Sequence, residues 1–146
     1  MKKFLSFLLL AIVSIQMTLA GDVITQDVNQ LPLNARNFIN QHFSSPSISH
    51  IKIEDEFLKS KKYEVLLTNL TEIDFDNKGN WVEVDCKKGQ IPASLIPSTI
   101  KEYVNKNFPN TIINKIERKG KGLEIELNND YSLKFDKKGQ FVSMDI

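Results

Sequence analysis

Apolar residues recur along this chain with two different periods, and the periods take turns. Leu31, Ala35, Phe38, Ile39 and Phe43 fall at the spacing of one helical face. Pro32 stands where a first helical turn tolerates a missing N–H, and Pro46 stops the helix. The period then changes to two. Ile51-Lys52-Ile53 begins a strand, and Tyr63–Thr68, Glu72–Asp76 and Trp81–Cys86 read as three more. Asn69-Leu70 makes a short turn, and Asp76-Asn77-Lys78-Gly79 a hairpin turn with glycine at the left-handed position.

The series then starts again. Ile96, Ile100, Tyr103, Val104 and Phe108 form a second helical stripe behind Pro97, stopped by Pro109. Strands are predicted at Lys115–Arg118, Leu123–Leu127, Tyr131–Phe135 and Phe141–Asp145, with turns at Asn128-Asn129-Asp130 and Asp136-Lys137-Lys138-Gly139. Phe38, Ile39, Asn40 and Phe43 match Tyr103, Val104, Asn105 and Phe108 at an offset of 65. Phe75-Asp76, Lys78-Gly79 and Trp81-Val82 match Phe135-Asp136, Lys138-Gly139 and Phe141-Val142 at an offset of 60. The five extra residues of the first copy are expected in the loops around Ser44–Ser49 and Lys59–Lys62, where length changes cost little. The pattern therefore predicts an α+β tandem duplication, with repeats at residues 21–90 and 91–146 in one compact domain. One helix cannot cover both faces of a four-stranded sheet. Two copies side by side give about eight antiparallel strands with both helices on one face, and the other face open to solvent or a partner.

Residues 1–20 change the compartment. Lys2 and Lys3 precede an apolar run from Phe4 to Val13, and Thr18-Leu19-Ala20 offers a cleavage site before Gly21, the arrangement of a signal peptide. Ser14, Gln16 and Thr18 break up the second half of the 17 residues from Phe4, which is short for a membrane anchor. A periplasmic or secreted protein with no stable membrane span after cleavage is expected. Without Lys2 and Lys3 the chain carries 17 basic and 18 acidic residues, a balance that excludes a dedicated nucleic-acid binder. The single Cys86 excludes an intramolecular disulfide and reads as a small buried hydrophobe.

At this point the residues resemble a known family. The signal peptide, the helix pattern Pro32, Phe38, Ile39, Phe43 and the strand ending Asp76, Gly79, Trp81, Val82 look like the PepSY-like proteins exported by Bacteroidota. Pro97, Tyr103, Val104, Phe108 and Asp136, Gly139, Phe141, Val142 give the second set. The resemblance covers nearly all of the chain beyond residue 20. It implies a fold similar to beta-lactamase inhibitory proteins, with helices on one side of a curved sheet, and a link to inhibition or regulation of peptidases. It supplies no catalytic residues, and fold alone does not fix function.

The residues themselves show little catalytic or ligand chemistry. Asp74-x-Asp76-x-Lys78-Gly79 opens like a calcium loop, but Lys78 takes the place of an oxygen ligand and Asp85 that of the closing glutamate. His42 and His50 are eight residues apart with no cysteine near them. No Gly-x-Ser-x-Gly elbow and no phosphate-binding glycine loop occur. No metal and no cofactor are implied. Lys115, Arg118, Lys119 and Lys121 form a basic cluster at a hairpin tip, a solvated tip or a contact for an anionic surface.

The strand aromatics are the candidates for recognition. Strict alternation leaves two phases open for Trp81–Cys86: Trp81, Glu83 and Asp85 outward with Val82, Val84 and Cys86 inward, or the reverse. The first phase would place Trp81, its equivalent Phe141, Glu83 and Asp85 on a partner-binding surface. The reading as a whole is an exported, non-enzymatic module that binds a protein or peptide of the cell envelope through its open sheet face or through the loops around Glu54–Lys62 and Lys119–Gly122, an inhibitor or regulator of a peptidase or similar enzyme in its sharpest form. The alternative is a small-ligand or envelope carrier with a pocket between sheet and helices.

Overall fold

The computed structural model describes residues 21–146, so the segment expected to be a signal peptide lies outside the described residues. Nine strands join in one antiparallel sheet, and their spatial order is their order in the chain. They are β1 (Val23–Thr25), β2 (Ile48–Glu54), β3 (Lys62–Leu67), β4 (Glu72–Phe75), β5 (Trp81–Asp85), β6 (Ile113–Lys119), β7 (Gly122–Leu127), β8 (Ser132–Phe135) and β9 (Phe141–Asp145). Helix α1 (Leu33–His42) precedes β2, and helix α2 (Ser98–Asn107) precedes β6. Pro32 and Pro97 are the N-cap residues, one position before the first turn.

Strand β1 is a strand beyond the eight expected. Its three residues, Val23-Ile24-Thr25, pair with Ile53, Lys52 and Ile51 of β2. They are too few to show a period. The extra residues of the first copy are also placed more narrowly than the sequence allows. Ile48 and Ile113 both open the strand after a helix, so the offset of 65 persists through β2 and β6. All five residues lie in the β2–β3 loop, which spans 55–61 where β6 and β7 are joined by Gly120 and Lys121 alone.

The core lies between the sheet and the two helices. Ile51, Val65, Ile73 and Val84 of β2–β5 and Ile116, Ile125 and Leu133 of β6–β8 are fully buried. Ala35 and Ile39 of α1, and Ile100 and Val104 of α2, close over them. Removing such side chains from water is the main favourable term in the fold. Cys86 belongs to this core, and burial pushes its thiol pKa up. Aromatic side chains lock each helix to its strands in the same way. Phe38 meets Phe75 edge-on at 5.6 Å and stacks on Trp81, and Tyr103 meets Phe135 edge-on at 5.5 Å and stacks on Phe141 at 4.8 Å.

Candidate functional site

A bulge settles the phase of β5. Phe75 pairs with Trp81 but Asp74 pairs with Glu83, so Val82 is an extra residue. The bulge breaks the alternation assumed from the sequence, and neither simple phase holds. Trp81 joins Val84 and Cys86 on the helix side, while Val82 joins Glu83 and Asp85 on the open side. The same bulge recurs in β9, where Phe135 pairs with Phe141 and Lys134 with Ser143. Trp81 is thus half-buried between Phe38 and the guanidinium of Arg118, 4.2 Å from its ring centroid. The four residues singled out for partner contact fall on two sides of the sheet, Trp81 and Phe141 beneath the helices, Glu83 and Asp85 on the open face.

The open face is organised by charge. Across adjacent strands, Glu64 pairs with Asp74, Asp74 with Glu83, Glu83 with Glu117 and Glu117 with Glu124. Five carboxylates therefore run in one row over β3–β7, with Lys52 at one end and Lys134 at the other. Like charges directly opposite each other on a sheet are unfavourable. Lysines offset part of this. Lys115 reaches Glu83 at 3.1 Å, and Lys119 reaches Glu117 and Glu124 at 3.2 Å each. In the next row Lys87 holds Glu72 and Asp85 at 2.7 Å each. Burial alone would raise the Asp85 pKa, but hydrogen bonds donated by the Lys87 side chain and backbone outweigh it, and the pKa falls. Among the described residues Glu64 and Asp74 form no ion pair, and Lys52, which stands opposite Glu64, turns instead to Asp22 and Glu54.

Asp74 records the consequence. Half-burial first, then the charges of Glu83 and Glu64, push its pKa from 3.8 to about 6. The folded state therefore binds this proton more tightly than the unfolded state. Stability should rise as pH falls from 7 towards 4, and be lost as pH climbs through 6. Asp74→Asn should stabilise the protein at pH 8 by about 1 kcal/mol, after allowing for solvent screening of a half-exposed group, and change little at pH 4. Urea unfolding of both forms at the two pH values checks this; equal midpoints at pH 8 would show that the row stores no repulsion.

The calcium-loop pattern is put to another use. Asp76 Oδ1 accepts hydrogen bonds from the backbone N–H groups of Lys78 and Asn80, which closes the β4–β5 turn, while Asp74 belongs to the open face. Among the described residues no three His, Cys, Asp or Glu side chains converge on a metal-sized point. His42 bonds Ser94 at 2.9 Å through Nδ1. A cavity of about 650 Å³ opens at the C-terminal end of α1 between His42, Asn69, Thr71 and Lys88. No helix among the described residues is long and apolar enough to cross a membrane.

The carboxylate row was missed because it lies across the sheet, not along the chain. Each strand contributes one member, at Glu64, Asp74, Glu83, Glu117 and Glu124, and only register brings them into line.

A two-helix layer over one face of a nine-stranded antiparallel meander, with a charged open face, defines the class of protein. Residues 61–143 match the model of the family described as "Putative beta-lactamase-inhibitor-like, PepSY-like", and the chain belongs to this PepSY-like family. Three solved structures agree. A "putative periplasmic protein of unknown function" from Bacteroides vulgatus is 40% identical, with a TM-score of 0.82 over 86% of this chain and 100% of that one. A "putative calcium-regulated periplasmic protein" from Bacteroides thetaiotaomicron is 43% identical, with a TM-score of 0.80 over 86% of this chain and 97% of that one. A second Bacteroides vulgatus "putative periplasmic protein" is 37% identical, with a TM-score of 0.78 over 86% of this chain and 97% of that one. No curated protein matches the chain.

Proposed function

We propose that this protein is a periplasmic, non-enzymatic binding module whose open sheet face takes a basic segment of an envelope protein or peptide. The periplasmic relatives support the compartment. The observation that carries the reading is the row Glu64–Asp74–Glu83–Glu117–Glu124, in which Glu64 and Asp74 form no ion pair among the described residues. A partner lysine or arginine set over Glu64 and Asp74 would relieve repulsion that the fold leaves standing, and would steer association by charge. Inhibition or regulation of an enzyme is the form in which occupation of such a partner would act, and the family's description favours it.

The test is capture from the envelope fraction of a Bacteroides host, with the unaltered protein beside a Glu64→Gln/Asp74→Asn/Glu83→Gln variant. A captured protein that is released by salt and lost with the variant is the expected result. Equal capture by both would exclude the row as the binding surface. The relative described as calcium-regulated favours a second reading, in which Ca²⁺ screens the same row. The cation would act there as a diffuse countercharge, since no chelating trio is present among the described residues. Calcium at millimolar level would then raise stability in the unaltered protein more than in the variant.

A further inference from the structure

The strand turns of this sheet are not equivalent at its two ends. In a sequential antiparallel meander the loops β2–β3, β4–β5, β6–β7 and β8–β9 all emerge at one end. The N-termini of both helices lie there too, because Gly79 packs on Pro32 and Asn34, and Gly139 on Thr99. The segments 55–62, 76–80, 118–122 and 136–140 at this end hold nine of the lysines and arginines and four carboxylates, a charge of +5. The rest of residues 21–146 holds eight basic and fourteen acidic residues, a charge of −6. The molecule is strongly polarised even though its net charge is near zero.

The same end carries two adjacent, strongly exposed apolar side chains. The β2–β3 loop contains the five residues that the second repeat lacks, and its tip presents Phe57 at 82% and Leu58 at 91% exposure. Leu58 is held in the left-handed region at φ 65°, which a branched apolar residue rarely adopts. Lys61 pairs with Asp55 at 3.0 Å and Lys59 pairs with Glu56, so the carboxylates flanking the tip are neutralised within the loop. The corresponding loop of the second repeat is only Gly120 and Lys121, next to Lys119 at the end of β6. The cations and the apolar pair therefore face the same way.

We propose that this end docks on an anionic phospholipid surface, with Phe57 and Leu58 inserted below the headgroups and Lys121, Lys137 and Lys138 set against them. An apolar tip and a set of cations presented on the same end of the sheet are what such a surface selects, since it offers hydrocarbon beneath a layer of negative charge. This surface is distinct from the open face of the preceding section.

Residues 21–146 hold both helices and all nine strands of the described structure, and are the form to test. They should co-sediment with vesicles of phosphatidylcholine containing about one-third phosphatidylglycerol far more than with pure phosphatidylcholine. Phe57→Ser/Leu58→Ser should lower the partition coefficient by roughly tenfold or more. Lys121→Gln/Lys137→Gln/Lys138→Gln should lower it by about fivefold per charge. A Phe57→Trp reporter should shift its emission to the blue on anionic vesicles. Both tip residues are exposed, so the variants should melt like the parent by circular dichroism. Equal partition on the two vesicle types, or partition unmoved by the folded tip variant, would overturn the proposal, and the tip would then be a protein contact. Glu64→Gln/Asp74→Asn/Glu83→Gln should leave vesicle binding intact, which separates failure here from failure of the open-face reading.

Discussion

Gly122→Ala should destabilise the protein by about 3 kcal/mol or more, the upper end of what overpacking costs. A methyl group there would lie 2.0 Å from the carbonyl oxygen of Phe135 and 3.1 Å from its carbonyl carbon. Gly122 opens β7 opposite Lys119, and Phe135 is in β8 next door. The obstructing atoms are backbone, so no side chain can swing away, and β8 would have to shift against β7 and take buried Phe135 with it. Gly120 is the matched control. It lies two residues away with φ 57°, and a methyl group there meets nothing within 4 Å. Gly120→Ala should cost only the left-handed backbone penalty, about 1 kcal/mol. Denaturant midpoints of the two variants decide the point, and equal values would mean that β7 and β8 yield easily.

Phe75→Ala should cost about 3–5 kcal/mol and lower Tm by roughly 10–20 °C. Phe75 is 1% exposed, packs against Phe38 of α1 and pairs with Trp81 across the bulge. Its removal leaves a cavity at the point where helix and sheet are joined, so Phe38 loses its edge contact. Phe135 holds the corresponding place beneath Tyr103, and Phe135→Ala should cost a similar amount. Calorimetry should show one transition in each variant. Two transitions in Phe75→Ala would mean that the repeats melt separately, against the continuous pairing of β5 with β6.

Much of this architecture is legible in the sequence. Both helices begin directly after Pro32 and Pro97, and eight strands fall within a few residues of the alternating runs. Hydrophobic period carries that information because one face of each element is buried. Other features are written elsewhere. Three residues of β1 cannot express a period. The bulges at Val82 and Val142 break alternation in the middle of a strand, which is why Trp81 shares a side with Val84 and not with Glu83. The row from Glu64 to Glu124 depends on register between strands, and register is fixed by the turns and bulges together. The loop that carries Phe57 and Leu58 is legible in the sequence between β2 and β3, but their near-complete exposure is not, since burial depends on what the rest of the fold brings near them.

The order of the strands also sets how the molecule can be made. Every strand pairs with its neighbour in the chain, so six of the eight joints close through loops of a few residues that need no distant partner, while β1 to β2 and β5 to β6 must each wait for an intervening helix. Short closures are fast, and folds rich in them reach the native state quickly. A chain that emerges from its N-terminal end can therefore zip hairpin by hairpin from β2 onward, and hold a finished first half while the second is still arriving. The joint of β5 with β6, which closes over α2, is the step whose speed should govern assembly of the whole.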